Sequence, residues 1–163
     1  MLAAVVAASG AAAAIDVRTG RIPNLLTAAV AVAGFALAGL GLSGHSVAGA
    51  LTGAVLGFAL MLPGHLLGGT GAGDVKLLSA LGTLLGPGGV LMAFLYSAMA
   101  GGLLALGHAF TRRRLGTTLA RTARLMAAPG ETKKEIDGAA RASRFAYGPA
   151  LAVGAIAAAL LVR

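Results

Sequence analysis

The stretch G-G-T-G-A-G-D-V-K-L-L, from Gly68 to Leu78, is where an otherwise lipid-soluble sequence changes character. It sets an acid, Asp74, and a base, Lys76, at the edge of an apolar run. Either charge costs about 2.5–3.5 kcal/mol at the centre of a bilayer on insertion scales, so such residues mark a functional site or a position near the interface. Gly68, Gly69, Gly71 and Gly73 carry no Cβ, so other groups can approach the backbone closely here. A second acid, Asp16, lies before R-T-G-R-I-P-N, and the two aspartates read as a working pair.

Outward from this stretch the composition fixes the class. The 163 residues are 58% hydrophobic and 11% charged, with a mean hydropathy of +0.88. A soluble domain carries roughly 25% charged residues, so the expectation is an all-α, polytopic membrane bundle forming one domain over 1–163. The 26 glycines and 4% aromatics point to helices packed closely through small residues. With no cysteine, disulfides, Cys-based zinc sites and thiol nucleophiles are excluded.

Six apolar segments are expected. The first, Met1 to Ile15, ends at Asp16; it lacks the basic residue that precedes the core of a signal peptide, so it is expected to be retained. The second runs from about Leu25 to Leu42 after Ile22-Pro23-Asn24, where Pro23 suits a helix start. The third, Val47 to Leu62, carries Gly49, Gly53 and Gly57 as a stripe for a tightly packed neighbour. The fourth, Val75 to Leu85, is stopped by Gly86-Pro87-Gly88-Gly89; the fifth is Val90 to Phe110 and the sixth Phe145 to Val162. The first and fourth are shorter than the ~20 residues of a spanning helix, and they are expected to extend past the aspartates into a thinned or wet region.

Charge sets the orientation. Of the 13 Lys and Arg, nine fall between Arg112 and Arg144, in a basic loop spanning 111–144. With six spans and both termini outside, these nine join Arg18, Arg21 and Lys76 on the cytoplasmic side, as the positive-inside rule prefers. Were the fourth segment re-entrant, the loop would land outside. The same topology brings Asp16 and Asp74 to one membrane face, at the cytoplasmic border. The loop lacks base-stacking aromatics, so the net charge of +8 signals topology and contact with anionic lipid headgroups rather than nucleic acid.

Two carboxylates at one end of a helical bundle suit an acid/base dyad. Sharing a site, they do not readily ionise together; one stays protonated while the other acts as base, and they titrate as a pair. Such a pair activates water against an amide carbonyl while the protonated partner hydrogen-bonds the carbonyl oxygen. The alternative is that each aspartate caps a helix or pairs with Arg18, Arg21 or Lys76 at the interface. Lys76 either snorkels to the headgroups or orients a substrate carboxylate. G-T-G-A-G-D-V-K lacks the Gly-Lys-Ser/Thr of a phosphate-binding loop. His45, His65 and His108 share no ligand spacing, so no metal site is expected; His45 falls in the outer loop and His65 near the inner border.

D-V-R-T-G-R-I-P-N (Asp16–Asn24) and G-A-G-D-V-K-L-L-S-A-L-G (Gly71–Gly82) resemble the two aspartate motifs of the type IV prepilin peptidase family, the bacterial branch of the GxGD membrane aspartic proteases. F-A-Y-G-P-A-L (Phe145–Leu151) resembles the family's Pro-containing approach to the last helix. The resemblance implies an endopeptidase that removes the short basic leader from prepilins or pilin-like proteins at the cytoplasmic face of the bacterial membrane. Asp16 and Asp74 would be the catalytic pair, with neither metal nor other cofactor. Gly71 and Gly73 would shape the loop carrying Asp74, and Arg18, Arg21, Pro23, Asn24 and Lys76 would position the two motifs. The chain lacks the paired-Cys cytoplasmic domain linked to methylation in larger members, and it looks like the short peptidase-only form of Flp/Tad-type pilus systems. The basic loop is a candidate contact for substrate or for an assembly-platform partner. From other classes, a small proton- or ion-coupled transporter and an inactive scaffold of a pilus or secretion machine remain as alternatives.

Overall fold

A computed structural model describes residues 1–67, 69–111 and 147–161. All regular structure among them is helical: α1 (Leu2–Thr19), α2 (Asn24–Gly39), α3 (Val47–Leu66), α4 (Ala72–Thr111) and α5 (Gly148–Leu161). Three stretches, Leu2–Thr19, Val47–Leu66 and Ala72–Leu104, are long and apolar enough to cross a membrane; Asn24–Gly39 and Gly148–Leu161 are shorter apolar helices. Large apolar side chains line the outside, with Leu25 82%, Val32 68% and Val55 60% exposed. In water so much exposed apolar surface would be a liability; in a bilayer it is the lipid-facing surface. The expected helical membrane bundle is what the chain forms. The basic loop after Thr111, with nine of the cations, lies outside the described residues.

The expected stop at Gly86-Pro87-Gly88-Gly89 is present: two helices meet in a kink at Gly86, which leaves the helical region with φ 69° and ψ −178°. That conformation is essentially restricted to glycine, and Pro87 follows it with a φ already set for a helix start. The next helix resumes directly after Gly86, a little ahead of the expected Val90. The break folds α4 into two antiparallel arms, 72–85 and 87–111. A Cβ on Gly57 of α3 would lie 2.7 Å from the Leu78 carbonyl oxygen and 3.1 Å from a Val90 methyl. In a straight helix residues 78 and 90 would stand about 18 Å apart along the axis, so one residue of α3 touches both only because the arms fold back.

The first arm is the centre of the bundle. Its Leu77, Leu78, Leu81 and Leu84 are almost completely buried, with Val5, Val90 and Leu151 around them. In lipid, apolar burial does not drive helices together, so close van der Waals contact must. The glycine stripe of α3 supplies it: Gly53 lies against the backbone of Gly82 and Gly86, and Gly57 against Leu78. Gly34 of α2 packs on Thr83, and Gly154 of α5 packs on Ser97 and the Ala93 carbonyl of the second arm.

The two ends of the bundle are thereby distinct. At one, His45 reaches across from the α2–α3 connection and its Nε2 lies 3.0 Å from the Leu84 carbonyl oxygen, beside Gly86. At the other stand the C-terminus of α1 and the N-termini of α2, α4 and α5.

Candidate active site

Asp16 lies one turn before the end of α1. Gly20 closes the helix in the left-handed conformation (φ 63°, ψ 19°), and its N–H donates to the Asp16 carbonyl oxygen at 2.7 Å. This is the αL stop for which glycine is the usual residue. The Thr19 hydroxyl lies 2.9 Å from both the Ile15 and Arg21 carbonyl oxygens and accepts from the Arg21 N–H, which fixes the turn. Only 7% of Asp16 is exposed. Its Oδ2 accepts a buried hydrogen bond from the backbone N–H of Gly148, the first residue of α5, at 3.0 Å.

Asp74 is held differently. It is the third residue of α4, 8% exposed, and its Oδ2 accepts from the Gly71 N–H just ahead of the helix, at 3.0 Å. This is the back-reaching half of a capping box, in which the side chain at the third helical position satisfies the amide of the residue before the helix. The helix-capping alternative is therefore part of the geometry for Asp74, and Asp16 takes an amide from the N-terminus of a different helix. Neither carboxylate is spent by this, because each hydrogen bond takes one of about four lone-pair sites and leaves the second oxygen. The two carboxyl groups lie within Coulombic reach of each other.

The motifs interlock beside the pair. A Cβ on Gly73 would stand 3.1 Å from Ile22 Cβ, so the start of α4 rests on buried Ile22. Asn24 Oδ1 accepts from Lys76 Nζ at 2.9 Å. Pro23 precedes α2 as its N-cap, with ψ 136°, rather than as its first residue. Arg18 and Arg21 are exposed at the same end. Lys76 is also exposed, about 200° around the helix from Asp74, since consecutive residues turn by about 100°. His65 Nδ1 lies 3.0 Å from the Thr70 carbonyl oxygen and braces the loop leading to Gly71. His45 is at the opposite end of the bundle.

Two residues join the site without having been singled out individually. Gly148 has to be a glycine here: an added Cβ would lie 2.6 Å from Asp16 Oδ2 and 2.9 Å from Asp16 Cβ, so rotating the carboxylate would not clear it. Tyr147, half-buried, lies within Coulombic reach of Asp74; its hydroxyl donates to the Ser97 carbonyl oxygen at 3.3 Å, and its ring packs on Gly101. Both sit in F-A-Y-G-P-A-L, whose shape was the available signal; no spacing rule ties Gly148 to Asp16.

Searches of curated proteins and of solved structures return no match. The model of the type IV leader peptidase family matches residues 3–106, which contain both aspartates, α1 to α3 and most of α4. The last helix lies beyond the matched residues, so its amide at Asp16 is known from the geometry alone. With the matched stretch covering well over half of the chain, the protein is a member of the type IV leader peptidase family, a family of peptidases.

Proposed function

We propose that this protein is a membrane-embedded aspartic endopeptidase that cleaves the leader peptide from type IV prepilins or pilin-like proteins, with Asp16 and Asp74 as its catalytic pair. The observation carrying this is the convergence of two nearly buried carboxyl groups, from helices far apart in sequence, at one end of an apolar bundle. Each is anchored through one oxygen by a backbone amide and retains an oxygen for chemistry. In the reaction, one carboxylate takes a proton from water as the oxygen attacks the scissile carbonyl carbon. The protonated partner donates to the carbonyl oxygen, giving a neutral tetrahedral diol. Collapse breaks the C–N bond: the proton gained by the first carboxylate passes to the leaving amine, and one diol hydroxyl returns its proton to the second aspartate as the new carboxyl group forms. The exposed cations Arg18 and Arg21 border the same end of the bundle, and by the positive-inside preference that end faces the bacterial cytoplasm, where a basic leader resides.

The test is cleavage of a co-expressed prepilin by the wild type, Asp16→Asn and Asp74→Asn, read as a gel shift alongside membrane insertion. Asn preserves shape and removes the titratable group. Wild-type cleavage with loss in both variants is expected. Normal cleavage by either variant would make that aspartate structural and end the paired-acid mechanism.

A further inference from the structure

Away from the aspartates, α2 and α3 diverge over the first arm of α4 and leave an open groove of about 460 Å³. They approach at the His45 end, where Gly39 faces a Val47 methyl, while Gly34 of α2 packs on Thr83 of the first arm. At the aspartate end the groove opens between Asn24 and Lys76. Its walls are apolar side chains, chiefly Ala28, Ala31 and Phe35 of α2 and Leu51 and Phe58 of α3. The hydroxyls along it are already committed: Thr27 donates to the Asn24 carbonyl oxygen at 3.0 Å, Ser79 to Ala54 at 2.9 Å and Thr83 to Ala80 at 2.7 Å. The groove is thus hydrocarbon-like along its length and cationic only at its mouth.

We propose that this groove is a binding site for one anionic phospholipid of the leaflet bordering the aspartate end, with an acyl chain between α2 and α3 and its phosphate on Lys76. Two observations select this occupant. The first is charge: Lys76 Nζ has three N–H donors, and its one side-chain hydrogen bond among the described residues is to Asn24. An ammonium at the headgroup level, at the end of an apolar slot between helices, matches an anionic headgroup with its chain. The second is lining. Beyond Asn24 and Lys76 at the mouth, the walls offer apolar side chains and hydroxyls already donating to backbone carbonyls, a surface that suits an acyl chain. The groove also lies on the Lys76 face of the first arm, turned away from Asp74, so a lipid there does not compete for the carboxylates.

The experiment reconstitutes the full chain in phosphatidylcholine vesicles containing a minor fraction of phosphatidylglycerol, extracts it gently, and counts retained lipids by native mass spectrometry. The expected result is one phosphatidylglycerol per chain, with its preference over phosphatidylcholine falling about fivefold in Lys76→Gln. Filling the groove with Ala31→Trp should abolish retention, while Val32→Trp, on the exposed face of the same helix, should not. If Ala31→Trp fails to insert, the Lys76→Gln comparison decides alone. Equal preference in wild type and Lys76→Gln would overturn the proposal. So would a photo-crosslinker at position 31 that captures peptide instead of lipid in cells.

Discussion

The two aspartates occupy the same end of the bundle by opposite means. Asp74 is held by its own neighbourhood: the amide it accepts from belongs to Gly71, three residues earlier, and any chain that starts α4 here makes that bond. Asp16 is held by Gly148, 132 residues away, on a helix that must be packed in register before the bond exists. One carboxylate is therefore set by local helix-start chemistry and the other by tertiary packing. Damage to the second should spread further than damage to the first.

Substitutions on the two sides sharpen this contrast. Gly148→Ala inserts a methyl into the space of the Asp16 side chain. Misplacing a reacting group by about 1 Å costs on the order of 10²-fold, so cleavage should fall about a hundredfold in a chain that still inserts, with kcat affected more than KM. Retained activity would mean that α5 does not fix Asp16. Tyr147→Phe keeps the ring on Gly101 and removes only the bond to the Ser97 carbonyl. At about 0.5–1.5 kcal/mol for such a bond, turnover should drop about twofold to tenfold, and a larger loss would assign the hydroxyl a direct part in the chemistry. Gly71→Ala is the local counterpart of Gly148→Ala. Its methyl would lie 3.2 Å from the movable carboxylate end of Asp74, and the donating amide is retained, so turnover should change by about twofold. A hundredfold loss there would erase the distinction between the two aspartates. Gly86→Ala, at the far end, should lower thermal stability by about 1–3 kcal/mol for its backbone conformation and leave cleavage per folded molecule unchanged.

The same contrast explains what could be read in advance. Gly71 and Asp74 are legible because the spacing from N-cap to third helical position is a local rule written in four residues. The stripe Gly49, Gly53, Gly57 announced close helix packing, and Gly53 and Gly57 make it against the first arm, while Gly49 faces His45. Gly86-Pro87-Gly88-Gly89 is legible as the stop between two apolar segments, though the interruption is shorter than four breaker residues suggest. One glycine at positive φ is enough when the proline after it can begin the next arm. Gly148 was out of reach because a glycine required by a side chain on another helix looks like any other glycine in a sequence with 26 of them. The expectations for the basic loop fall outside the described residues.

The bond between Asp16 and Gly148 also has a consequence in time. Synthesis runs from α1 to α5, so both aspartates enter the membrane long before the amide that fixes the first of them. A nascent chain that ends before Tyr147 has the carboxylates but not the contact that orients Asp16. On the proposed mechanism, Asp16 is oriented only once α5 has packed, so a chain cut short before Tyr147 should not cleave a prepilin.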